Sequence, residues 1–156
     1  LHWFPTSIWT PDLVPQAEQC RQLSAQTLAL FEDEVLRHHA DEERDLFPSV
    51  VRSAEPGEER ARVEWMTELL VAEHRVLESL WHELEPSVRA AAKGRAATID
   101  ARLVSRLVRQ YARHARFEEL HFLPLAQTIL ARNANHLDAV GMAFHMRRVP
   151  DLPGYI

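Results

Sequence analysis

The sequence predicts an all-α protein, an antiparallel up-down helical bundle forming a single domain over residues 1–156. Three observations carry that expectation. Glycine is scarce, at 4 of 156 residues, while alanine, leucine, glutamate and arginine, all good helix formers, are common. Apolar residues recur at steps of three and four along three long segments, the spacing of one helix face. No segment of any length alternates apolar and polar residues as a half-buried strand would.

Residues 1–15 hold Pro5, Pro11 and Pro15 among Trp3, Phe4 and Trp9, and read as an irregular arm whose aromatic rings pack on the body. A first helix is expected from about Gln16 to Ser53, where Glu55-Pro56-Gly57 breaks it. A second runs from about Glu58 to Ala92, with a bend expected at Pro86, before a turn at Gly94. A third spans about Ala96 to Ala131. Residues 132–156 form a C-terminal helix and tail, helical from about Asn135 to Arg147 and ended by Pro150 and Pro153.

Composition narrows the function. A formal net charge of −5 argues against a nucleic-acid partner. The single Cys20 excludes an intramolecular disulfide, fits a reducing cytoplasm and reads as a small packing residue. No apolar run approaches the roughly 20 residues of a membrane span, and no signal peptide is recognisable.

One motif occurs twice, 76 residues apart. The first copy starts at His38, with Glu42, Glu43, Leu46, Phe47 and Pro48 following; the second starts at His114, with Glu118, Glu119, Phe122, Leu123 and Pro124. A His and a carboxylate four apart lie one turn apart on one helix face and can reach the same metal. The stripes give these residues a common direction. Leu28, Phe31 and Val35 lead to His38, Glu42 and Leu46; Leu103, Leu107 and Tyr111 lead to His114, Glu118 and Phe122 or Leu125. The middle segment steps Met66, Leu70, His74, Leu77, Trp81 and Leu84. His38, Glu42, His74, His114 and Glu118 thus sit where apolar residues are expected. Burying unpaired carboxylates costs several kcal/mol (roughly, per ion), and a bound cation would offset this.

The heights agree as well. The midpoint of His38 and Glu42 lies 17 residues before Gly57, and His74 lies 17 after it. His74 lies 20 residues before Gly94, and the midpoint of His114 and Glu118 lies 22 after it. At about 1.5 Å per residue, the three groups fall at one level within about 3 Å. His39, Glu43 and Glu119 lie about 100° round the helix from their seam neighbours and read as flanking residues. Asp45 and His121 return to the seam face about 10 Å further along and could line an access path. His2, His82, His136 and His145 are not expected to bind metal.

These residues resemble the hemerythrin-like, or HHE cation-binding, domain family. The matching elements are His38-x-x-x-Glu42-Glu43 with Leu46-Phe47-Pro48, Glu73-His74, and His114-x-x-x-Glu118-Glu119 with Phe122-Leu123-Pro124. The resemblance covers about residues 16–131. It implies an up-down four-helix bundle around a non-haem di-iron centre, with His38, His74 and His114 as terminal ligands and Glu42 and Glu118 bridging. In that family a further helix precedes the first motif and brings another His. Here no His lies between His2 and His38, so that first helix is expected to be missing from this sequence. The seam it leaves open is expected to be covered by the arm, the fourth helix or a second copy in a homo-oligomer.

The function expected is that of a cytoplasmic binding protein rather than an enzyme, taking O2 or NO or sensing redox state at iron, with Mn or Zn as substitutes. Two alternatives stand beside it. Glu118-x-x-His121 matches half of the element used by ferritin-like di-iron oxidases and iron-storage proteins, although the first motif has Asp45 where a second His is needed. A metal-free helical interaction module would instead pair the five seam residues with one another.

Overall fold

A computed structural model describes residues 13–132. Among them the chain forms three long helices and no strand. The first twelve residues of the expected arm and the expected C-terminal helix lie outside the described residues.

The first helix runs without a break over residues 13–53. It starts at Leu13, so Pro15 belongs to its first turn and not to the arm. Proline is tolerated there because the N–H it lacks would have no partner in the helix. The middle helix spans Glu58–Ala92 and continues through Pro86. Gly57, at φ 104° and ψ −136°, makes the turn between them. The Glu59 carboxylate accepts from the Glu55 N–H at 2.8 Å, and Arg60 donates to the Ala54 carbonyl at 2.8 Å. At the far end Gly94, at φ 68°, lets the Arg95 N–H reach back to the Ala90 carbonyl at 3.0 Å. The third helix covers residues 101–132 and begins five residues later than expected. The Asp100 carboxylate sets the start, accepting from the backbone N–H groups of Arg102 at 2.8 Å and Leu103 at 3.4 Å.

The motif helices are not uniform α-helix. The first widens into π-helix at Leu30–Val35 and again at Glu42–Leu46, and the third does so at Glu118–Phe122. The last two begin at the motif glutamates. Each ends on a backbone bond reaching back five residues, from Phe47 N–H to the Glu42 carbonyl and from Leu123 N–H to the Glu118 carbonyl. Pro48 and Pro124 come immediately after. Each removes an N–H and crowds the carbonyl four residues back, so the ladder widens by one residue rather than breaking.

Two apolar clusters fill the interior. Leu46, Phe47, Val50, Val63, Met66, Leu70, Phe122 and Ile129 pack at the Gly57 end. Leu77, Leu80, Trp81, Leu84, Val88 and Leu107 pack toward the Gly94 end, where Phe31 stacks on Trp81 with ring centroids 4.2 Å apart. A layer of imidazoles and carboxylates separates them. Every residue of the expected middle-helix stripe is buried.

Two substitutions should lower stability. Leu70, fully buried in the lower cluster, loses about 2–5 kcal/mol when truncated to Ala, read as a lower denaturant midpoint. Gly57→Ala meets no atom within 4 Å of the new Cβ. It still costs about 1–3 kcal/mol, because that φ and ψ are open to glycine alone.

Candidate metal centre

Each helix delivers its share of the layer from the position the stripes assign. His38 and Glu42 come from the first helix, His74 from the middle helix, and His114 and Glu118 from the third; all five are buried. They meet at one height although residues 95–100 are not helical.

Glu42 stands at the centre. Its Oε1 lies 3.3 Å from His38 Nε2 and its Oε2 lies 3.3 Å from His74 Nε2, so the two oxygens face imidazoles on different helices. Glu118 Oε2 lies 3.9 Å from His114 Nε2. Burial pushes the Glu42 carboxyl well above the usual carboxylate range, and the hydrogen bond and charge of Glu118 push it further. Burial is also the main reason that the His74 imidazole falls to about 2, with His39 and His114 adding to it. Tyr111, beside His114, is raised to about 12 by burial and then by the charges of Glu118 and Glu42.

Carboxylates outside the layer aim two of the rings. Glu43 Oε1 lies 2.8 Å from His74 Nδ1, and Glu73 Oε2 lies 3.1 Å from His114 Nδ1. A carboxylate only accepts, so each ring carries its proton on Nδ1 and turns a bare Nε2 inward. Arginines hold these carboxylates in turn: Arg75 bonds Glu43, and Arg113 approaches Glu73 at 3.4 Å. Metal-binding histidines in general carry such partners.

His39 departs from expectation. Its place next to the seam predicted a flanking residue, but it is only 1% exposed. Its ring stacks on His74 at 3.8 Å and meets His114 edge-on at 5.5 Å. Burial drives its imidazole down to about 3, helped by His114 and His38. The cause is the π-helical turn at Leu30–Val35. An extra residue in that turn rotates the next stretch of helix, so both His38 and His39 point inward. Two groups have the composition and closeness to hold a cation: His39 with His74 and His114, and His38 with Glu42 and Glu118. In each, one ligand atom per residue lies within 4.8 Å of the others.

Other residues fall outside the layer. His121 and Asp45 are exposed, Asp45 paired with Arg44, and His82 faces solvent beside Glu85. Cys20 is exposed and does not pack into the core as expected; it lies in a stretch, residues 14–23, that is exposed throughout. His2, His136 and His145 lie outside the described residues. Among those residues, no helix is long and apolar enough to cross a membrane.

The donor set fits a cation. Neutral imidazoles and two adjacent buried carboxylates supply lone pairs and negative charge, and His74 Nε2 has no hydrogen bond of its own.

The comparisons agree with this chemistry. A protein of Haemophilus influenzae (strain ATCC 51907 / DSM 11121 / KW20 / Rd), described as an uncharacterized protein, is 28% identical over 118 residues. The match covers 73% of this chain and 65% of that protein, so the chain spans a little under two thirds of its relative. No solved structure matches the chain. The family described as the Hemerythrin HHE cation binding domain matches residues 10–126, which take in both motif copies and the Glu73-His74 step between them, and the chain belongs to that family.

Proposed function

We propose that this chain binds a pair of metal ions, iron in the first place, in the layer between its apolar clusters. We propose further that it uses the centre to bind a small diatomic ligand such as O2 or NO, or to respond to redox state. The observation that carries the reading is the placement of Glu42, whose two oxygens face His38 and His74 from separate helices. That is the disposition of a carboxylate bridging two ions. His38, His74 and His114 would then be terminal ligands, with Glu118 a second shared carboxylate. Mixed imidazole and carboxylate donors suit iron, with Mn or Zn as substitutes.

Iron would supply an open coordination position for the diatomic ligand. The chain's own residues prepare that position. Glu43 and Glu73 fix the tautomers of His74 and His114. Phe47 and Phe122 close the layer on one side, meeting edge to face at 5.2 Å, and Trp81 closes it on the other. The approach lies at His38, the most exposed of the five at 8%. It borders a small depression lined by Asp33, Glu34, Arg37 and Asp41.

The ferritin-like alternative loses support because His121 is exposed while His114 is buried in the layer. The metal-free module keeps a specific observation in its favour, the direct approach of His38 and His74 to Glu42. Metal content separates it from the leading reading.

Elemental analysis of the chain purified without a metal-affinity tag should find about two irons per chain, as a dinuclear carboxylate site requires, and His114→Ala should lose them. A wild-type chain that folds and holds no metal sinks the reading. If the metal binds the folded state alone, its removal by a chelator costs about 4 kcal/mol at a thousandfold excess over Kd. At about 2–4 °C per kcal/mol for a chain of this size, the melting temperature then falls by roughly 10 °C. Glu43→Ala frees the His74 ring, and competition against a chelator should show metal affinity reduced about 10–100-fold.

A further inference from the structure

His39 is a buried imidazole that the five-residue site leaves without a role. It is 1% exposed, and neither Nδ1 nor Nε2 has a hydrogen-bond partner among the described residues. A polar ring kept in a core without a partner is destabilising, so its retention calls for something that its nitrogens serve. Core packing alone would be met better by Phe or Leu. The two rings beside it, His74 and His114, both have their Nδ1 atoms committed to outer carboxylates. Nitrogens of the three rings lie within 4.8 Å of one another, and each ring comes from a different helix.

We propose that His39 is the third imidazole of a histidine-rich metal position, His39/His74/His114, adjoining a carboxylate-rich position formed by His38, Glu42 and Glu118. The proposal rests on the metal-binding reading above and deepens it by making the two positions chemically unequal. The first offers three neutral donors, a set that suits Zn, Cu, Ni or Fe. The second offers one imidazole and two carboxylates, a set that favours harder divalent ions such as Fe(II) or Mn(II). Glu42 touches both, through Oε2 toward His74 and Oε1 toward His38. His39 would give the first motif a second imidazole donor, next to His38, in the stretch that follows the π-helical turn at Leu30–Val35.

The test uses the full chain, stripped of metal and reloaded anaerobically with Fe(II) alone or Co(II) alone, with ions per chain measured by elemental analysis. His39→Phe keeps a stacked, buried ring against His74 but has no nitrogen to donate. It is expected to hold about one ion per chain fewer than wild type and to lose part of the Co(II) visible absorption. The metal-free melting temperature should stay equal or rise. Undiminished metal content in His39→Phe would overturn the proposal and leave the five-residue site standing. Wild type without metal would defeat the parent reading instead, so the two failures are distinct. Should His39→Phe not fold, His39→Gln takes its place, keeping a polar side chain of shorter reach. The same loss of one ion supports the proposal, and full occupancy overturns it.

Discussion

The constraint on which the structure depends is the burial of two carboxylates, Glu42 and Glu118, side by side in the middle of a helical core. Each costs several kcal/mol to remove from water (roughly) unless paired. Everything around them answers that cost. Imidazoles from three helices face the carboxylates, and Glu43 and Glu73 orient two of those rings from outside. Arg75 and Arg113 anchor the outer carboxylates, so the charge network runs from the centre of the bundle to its surface. The apolar clusters on either side keep water from relieving the central charge, and His38, at 8%, is the most exposed of the five layer residues.

The motif sets this geometry by two devices that work together. The His-x-x-x-Glu spacing puts donor and acceptor on one face. The proline six residues after each Glu makes the helix widen just beyond it. A π-helical turn shifts the register by one residue without breaking the helix, so the next apolar residues return to the core at a new angle. At these turns both Leu46 and Phe47, and both Phe122 and Leu123, are buried. Duplicated Pro48 and Pro124 give the two motif helices the same local shape, and their lower ends pack together around Val50, Ala126 and Ile129.

Much of this was legible in the sequence, and the misses have local causes. The middle helix reads with its bounds because it has a break at each end and an unbroken 3.6-residue stripe from Met66 to Leu84. The five seam residues read for the same reason, since the motif spacing and the stripe point the same way. His39 did not, because a regular period places it on the flank and nothing in the composition near Leu30–Val35 marks the widened turn. The start of the third helix was misplaced because Ala96 and Ala97 favour helix, whereas the Asp100 cap, a stronger local signal, decides the boundary. Cys20 was misread because residue type alone was used; it lies in a stretch of the first helix, residues 14–23, that is exposed throughout.

Among the described residues three helices build the layer, and this bears on how metal and fold would depend on each other. Without a cation, burial favours the protonated form of Glu42 and the neutral imidazoles of His39 and His74. A cation would let the carboxylate ionise beside it and would bind the imidazoles in that same neutral form. The interactions that hold the three helices at one level would then be the interactions that bind the ion. Affinity at this centre would in that sense be folding free energy. Substitutions in the walls beside the ligands, at Leu70 or at the Phe47–Phe122 contact, would then weaken metal binding by loosening the layer.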